Sequence, residues 1–172
     1  MSTKLLYAMR HCETLFNVQR KSQGWCDSPI TPRGRLQCEV AGKVLRETGV
    51  VFDHFHSSTS ERCCDTMELV CKAAFGEVRP YVRQKGLREC GFGIFEAKDD
   101  FCEPDFQGFS DLRSLVMQAG GGESGDEVNA RIREDLFEDA YAVQRAAQGG
   151  PAKEIDSLLS RCDDADDAVV FH

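Results

Sequence analysis

Short apolar runs alternate with amphipathic stretches along this chain. Leu5, Leu6, Tyr7, Ala8 and Met9 are continuously apolar and give way at once to Arg10 and His11, the pattern of a central parallel strand buried on both faces with polar chemistry at its C-terminal end. Residues 15–30 hold no sustained period and read as a loop around Gly24, Asp27, Ser28 and Pro29. Thr31 can then cap a helix whose first residue is Pro32, with Leu36, Val40, Val44 and Leu45 recurring on one face before Gly49 ends it. Residues 50–57 predict a second strand. After it Ser58, Thr59 or Ser60 can cap a helix that buries Cys63, Met67, Val70, Cys71 and Ala74. An extended stretch around residues 78–87 leads to Glu89.

Periodicity fails over residues 97–122, which gather Asp99, Asp100, Pro104, Gly108 and Gly120 to Gly122; an aperiodic segment of that length in a compact domain is expected to be a lid-like excursion. Ser124 and Glu127 form a capping box ahead of a long helix marked by Val128, Ile132, Leu136 and Val143 and stopped by Gly149, Gly150 and Pro151. Ile155, Leu158, Leu159 and Cys162 mark a final helix, and residues 168–171 a strand that ends at His172. Strands alternating with helices predict an α/β fold with a mainly parallel sheet, and 172 residues suit a single domain.

Composition narrows the function classes. Hydrophobic residues at 41% and charged residues at 29% are ordinary for a folded soluble chain, which excludes fibre and wholesale disorder. A net charge of -8 repels phosphate backbones and anionic lipid, so neither nucleic acid nor a membrane is an expected partner. No apolar run approaches the roughly 18 residues of a membrane span, and the N-terminal segment carries no cleavage-site pattern, so a cytoplasmic location is expected. Nine cysteines, odd in number and without a C-x-x-C pair, read as buried reduced thiols. A metal or redox protein built on them would carry zinc, and no metal or cofactor is expected.

Ligands of open α/β sheets bind beyond the carboxyl ends of the strands, which makes Arg10, His11 and His172 candidates to face one crevice. A neutral imidazole is a competent nucleophile, and an adjacent guanidinium offers donors to anionic oxygens, so the pair suits phosphoryl transfer. The run Met9-Arg10-His11-Cys12-Glu13-Thr14 with Asn17 resembles the R-H-G-E-T/S-x-x-N signature of the histidine phosphatase superfamily, whose members include phosphoglycerate mutases. The segment from Gln23 to Thr31 with Gly34 resembles that family's Q-G-x-x-D-x-P-L-T-x-x-G. Ser57-Ser58 with Arg62 and Thr66, Leu87 to Glu89 with Phe92, Gly93 and Glu96, and Gly121-Gly122-Glu123-Ser124 match further blocks in order, up to the V-V-F-H at His172.

The resemblance implies a three-layer, phosphoglycerate mutase-like sandwich with a parallel sheet between helices. It makes His11 the phosphoryl-accepting nucleophile and Glu89 the proton donor, and it gives Arg10, Arg62 and His172 the task of gripping phosphate oxygens. Asn17, Gly24, Glu123 and Ser124 are carried over as phosphate or substrate contacts, while Glu13 and Glu96 are assigned to supporting structure. A carboxyl that protonates a leaving alkoxide works best when its pKa is raised, and Leu87, Phe92, Ile94 and Phe95 are the expected source of that desolvation.

Two departures stand out. Cys12 replaces the family's usual Gly, where a thiol beside a cationic site can ionise. A cysteine-phosphatase reading of Cys12 lacks its C-x5-R loop, because position 18 is Val18. Family members also continue past the second His with Gly and a helix, so the chain is expected to be cut short at His172, leaving apolar surface and a tendency to self-associate, as a homodimer. The expected activity is hydrolysis of a small phosphorylated metabolite through phosphohistidine. Mutase-type transfer and a non-catalytic phosphate-binding module are the alternatives.

Overall fold

A computed structural model describes residues 6–99 and 117–135. Residues 6–10 run extended, with Tyr7 and Met9 in isolated bridges and exposure alternating along them. Leu6 is exposed, in place of the burial on both faces that its run of apolar neighbours predicts. A short helix α1 (Leu15–Gln19) follows. It starts on a reciprocal cap in which Asn17 Oδ1 accepts from Thr14 N, and it ends at Arg20 in the left-handed region, φ 54°.

Helix α2 (Pro32–Thr48) has the punctuation its sequence predicts. Thr31 Oγ1 accepts from Gly34 N at 3.0 Å, Pro32 occupies the first turn, and Gly49 closes the helix at φ 68°. Its buried face is not the predicted one. Gly34, Cys38 and Gly42 are buried with Ala41 and Leu45 partly so, whereas Leu36, Val40 and Val44 are 58%, 53% and 52% exposed. The reason lies in how closely α2 crosses α3 (Glu61–Phe75). A Cβ at Gly42 would lie 2.7 Å from Val70 O and 2.9 Å from Ala74 N, so only the row of small residues admits that approach.

Strand β1 (His56–Ser58) is shorter and later than predicted, and Val51 ahead of it is exposed. Phe52 and Phe55 instead join Tyr7 and Phe75 in an aromatic cluster with ring centroids 5.1 to 6.4 Å apart. Helix α3 buries the predicted Cys63, Met67, Val70, Cys71 and Ala74, together with Arg62, Cys64 and Thr66. Ser60 occupies its N-cap position but caps nothing; Asp27, from the preceding loop, accepts from Glu61 N at 2.9 Å and takes over that function. The chain returns through β2 (Val82–Gln84), which pairs parallel to β1 with His56 opposite Val82. The β1–α3–β2 unit is the α/β element that places Arg62 beside the end of residues 6–10.

Past β2 a turn at Lys85–Leu87 leads into Glu89, and a second turn, Gly93–Phe95, follows. Of the predicted excursion, residues 100–116 lie outside the described residues. Its flanks are held, with Ser22 N donating to Lys98 O and Ile94 N to Gly120 O. Helix α4, residues 125–135, opens on the predicted capping box, Ser124 N donating to Glu127 Oε2 at 2.7 Å and Glu127 N to Ser124 Oγ at 3.2 Å. Leu136, Val143, the stop at Gly149 to Pro151, the final helix, the last strand and His172 all lie outside the described residues. Among the described residues no helix is long and apolar enough to cross a membrane. Cys12, Cys38, Cys63, Cys64 and Cys71 are buried free thiols, and Cys26 and Cys90 are half-buried ones.

Candidate active site

Where residues 6–10 end, the chain turns through His11 and the α1 cap to form one wall of a cleft of about 250 Å3. Arg10, His11, Asn17 and Glu89 line it together with Phe16, Arg20, Lys21, Ser22, Gln23 and Phe92. In a chain of net charge -8, a cleft lined by three basic residues and one carboxylate is a local reversal of sign that suits an anion.

His11 is the most perturbed group in that wall. Nδ1 lies 2.8 Å from Cys12 O; a carbonyl only accepts, so Nδ1 carries the proton and Nε2 keeps its lone pair. Burial pulls the imidazole pKa down to about 4, helped by the Arg62 and Arg10 charges and opposed by the bond to Cys12 O. The ring is therefore neutral at physiological pH.

Asn17 serves the wall in two ways. Its Oδ1 accepts from Thr14 N at 2.9 Å, which turns the Nδ2 donors of a cleft-lining side chain to a ligand. Gln23 has the same logic and was not singled out from sequence. Its Oε1 accepts from Thr14 Oγ1 at 2.7 Å, while Nε2 is buried with no partner among the described residues. Its place at the head of a matched segment marks it in the sequence without giving it a role; the orphaned donor does.

Arg62 is 2% exposed and arranged differently from its predicted task. Nη1 donates to Asp27 Oδ1 at 2.8 Å and Cys26 O at 3.0 Å, and Nη2 to Gly24 O at 3.0 Å and Gln23 O at 3.3 Å. Its fork locks the 23–27 loop against α3. Among the described residues only the buried Nε lacks a partner, and Arg62 does not line the cleft, so what it offers a phosphate there is a nearby fixed charge.

Like Arg62, the predicted contacts Gly24, Glu123 and Ser124 do not line the cleft. Gly24 N donates to Glu96 Oε2, and a Cβ there would lie 2.9 Å from Phe92 Cδ2, so this glycine serves close packing. The Glu96 carboxylate also accepts from Trp25, Cys26 and Phe92 N; burial alone would raise its pKa, but the Cys26 thiol and these N–H groups outweigh it and hold it below the usual range. Glu13 likewise supports structure, accepting from Thr31 Oγ1 at 2.6 Å.

Glu123 pairs with Arg131 Nε at 2.8 Å and accepts from Gly91 N at 2.7 Å. Arg131, which no motif marks in the sequence, also donates to Gly86 O and Arg88 O, both at 2.6 Å, and to Glu89 O at 2.9 Å. Together with Trp25 Nε1, 3.1 Å from Glu89 O, it fixes the main chain of the residue that brings a carboxyl to the cleft. The Glu89 carboxylate itself accepts from Cys90 N at 2.8 Å. Of the expected apolar cover, Phe92 lines the cleft and Leu87 is buried, but Ile94 is 66% exposed and turned to solvent.

Comparison with known proteins gives this arrangement its context. The family model of the histidine phosphatase superfamily (branch 1) matches residues 6–147. The chain is 32% identical over 127 residues to the broad-specificity phosphatase YOR283W of Saccharomyces cerevisiae, covering 74% of this chain and 54% of that protein. It is 33% identical over 137 residues to a probable phosphoglycerate mutase, GpmB, of Salmonella typhi, covering 76% of this chain and 60% of that one. The chain thus spans between half and two-thirds of the length of these curated relatives. Among solved structures it is similar to a phosphoglycerate mutase from Bacillus anthracis, TM-score 0.68 at 26% identity, covering 84% of this chain and 70% of the other. It is also similar to Bacillus stearothermophilus YhfR, TM-score 0.63 at 30% identity, covering 84% and 69%. These structures share one α/β fold, that of the phosphoglycerate mutases, and the chain belongs to the histidine phosphatase superfamily.

Proposed function

We propose that the chain hydrolyses a small phosphomonoester through a phosphohistidine intermediate. The observation that carries this reading is His11, neutral and with Nδ1–H pinned to Cys12 O, presenting the Nε2 lone pair in a basic cleft that also holds Glu89. Nε2 attacks phosphorus, the ester P–O bond breaks, and the leaving oxygen takes the Glu89 proton. Water, deprotonated by the same carboxylate, then attacks phosphorus; the P–N bond breaks, its electrons return to Nε2, and inorganic phosphate leaves. Arg10 and the Asn17 amide, with His172 as a further donor and the Arg62 charge behind them, stabilise the non-bridging oxygens. A bound phosphate dianion opposes the Arg10 and Arg62 charges that depress His11, so substrate itself restores part of the nucleophile's basicity.

The likeness to a broad-specificity phosphatase supports hydrolysis. The likeness to proteins named phosphoglycerate mutases supports a second reading, transfer from phosphohistidine to a phosphorylated acceptor. One experiment separates them. The full chain is given p-nitrophenyl phosphate and alkyl phosphates, with 2- and 3-phosphoglycerate in parallel. Hydrolysis predicts phosphate release, abolished in His11→Ala, and a loss in Glu89→Gln that is larger for alkyl than for p-nitrophenyl esters. Interconversion of the phosphoglycerates without net phosphate release would establish the transferase, and unchanged turnover in His11→Ala would reject both.

A further inference from the structure

The residue after the nucleophile carries a thiol with a partner. Cys12 is 8% exposed, and it lies in one buried cluster with Ile30, Val70 and Cys38, itself 1% exposed. Cys12 and Cys38 thus pack into the same buried cluster although 26 residues apart in sequence. Thr66 completes the group, its Oγ1 lying 3.2 Å from Cys12 Sγ and accepting from Cys12 N at 3.1 Å. Cys12 therefore differs from the other thiols. Cys38 S–H stabilises its thiolate and outweighs burial, drawing the Cys12 pKa down to about 7, while the Cys38 pKa moves up because it holds the shared proton. Burial pushes Cys26 and Cys63 up to about 11 and keeps them as unreactive thiols.

We propose that Cys12 and Cys38 are a redox pair that a hydroperoxide closes to a disulfide, and that closure turns off the neighbouring cleft. In the first step the Cys12 thiolate attacks the distal peroxide oxygen: an S–O bond forms, the O–O bond breaks, and the alkoxide or hydroxide leaves with a proton from solvent. Once Cys12 is the uncharged sulfenic acid, the charge that raised the Cys38 pKa is gone. Cys38 sulfur then attacks Cys12 sulfur, the S–S bond forms, and the S–O bond breaks with loss of water. Two thiols are oxidised and one hydroperoxide is reduced. The consequence for the cleft follows from the main chain, because Cys12 O holds His11 Nδ1–H. A disulfide draws Cys12 away from Thr66 and ties it to α2, so the carbonyl that fixes the imidazole moves with it. This consequence rests on the proposed function; the pairing itself does not.

The test oxidises the full chain with one equivalent of hydrogen peroxide, blocks free thiols and maps tryptic peptides while phosphatase activity is followed in the same samples. Cys12 and Cys38 fall in separate peptides, residues 11–20 and 36–43, each with one cysteine. The expected result is a link between those two peptides in most chains and a fall in turnover of at least fivefold, both reversed by dithiothreitol. Cys38→Ala should keep its activity before oxidation, form no link, and, given a second equivalent of peroxide, lose activity irreversibly as Cys12 passes to the sulfinic acid. A Cys12 sulfinic acid in the wild type with Cys38 free, or a link to any other cysteine, overturns the pair. A complete link with unchanged turnover overturns the switch. A chain that forms the link but has no phosphatase activity beforehand refutes the proposed function and leaves the pair standing.

Discussion

A nucleophile kept neutral by burial should cost the protein acid stability, and His11 allows the cost to be worked out. Its imidazole is held at about 4 in the folded chain, against about 6.5 when unfolded. Above pH 6.5 both forms are neutral and His11 contributes no penalty. As pH falls below 6.5 the unfolded chain takes up a proton that the folded chain refuses, so stability is lost through this window and the loss levels off below about 4. Integrating the two titrations gives a loss of about 2 kcal/mol at pH 5 and about 3 kcal/mol at pH 4, relative to pH 7.5. His11→Asn removes the titrating ring, while its side-chain amide can still donate to Cys12 O. Urea unfolding of both proteins at pH 7.5 and pH 5 isolates the effect, since every other group titrates alike in the two. The variant is expected to lose about 2 kcal/mol less than the wild type between those conditions. Parallel losses would show that the folded ring protonates near its ordinary value and would refute the burial that is held to depress it.

Two further perturbations address the supports. Arg131→Lys cannot reproduce the fork that holds Glu123 and the carbonyls of Gly86, Arg88 and Glu89; kcat on alkyl phosphates should fall about tenfold with KM nearly unchanged, and a change in KM alone would mean that the clamp does not position Glu89. On α2, Gly42→Val should destabilise by about 2 kcal/mol or more through overpacking against Val70 and Ala74, whereas Val40→Gln, on the exposed face, should stay within about 0.5 kcal/mol. The reverse order in thermal unfolding would restore the larger apolar stripe as the buried one.

That α2 face shows how far a periodic pattern reaches. Leu36, Val40 and Val44 repeat every four residues, but so do Gly34, Cys38 and Gly42. Hydrophobicity favours the first row and close helix contact the second. The pattern located the helix and both of its ends, because Thr31, Pro32 and Gly49 act through local backbone chemistry that the sequence states directly. The choice of face depends on α3, which a window of seventeen residues cannot contain. Strand limits fail for a similar reason: Phe52 and Phe55 are good strand formers, yet their burial comes from stacking with Tyr7 and Phe75, which lie 45 residues before and 23 after Phe52.

Within the cleft, the residues legible in sequence are those whose side chains end in distinctive chemistry at motif spacing: Arg10, His11, Asn17 and Glu89. Illegible were the assignments that depend on where donors are already used. Gly24, Glu123 and Arg62 carry motif positions, but most of their hydrogen-bonding capacity is spent within the fold. Gln23 is the opposite case, since a buried amide whose Nε2 has no partner among the described residues costs about 1–3 kcal/mol that folding alone does not repay. An anionic oxygen in the cleft would satisfy it, so part of the ligand's binding energy is the relief of that orphan. Gln23→Glu tests this by keeping an acceptor for Thr14 Oγ1 and replacing the free donor with a second oxygen. Inorganic phosphate should raise the melting temperature of the wild type, and the variant should need at least tenfold more phosphate for the same rise. Equal phosphate dependence in the two proteins would mean that Nε2 does not face the bound anion, and that its lack of a partner belongs to the core of the loop instead of the site.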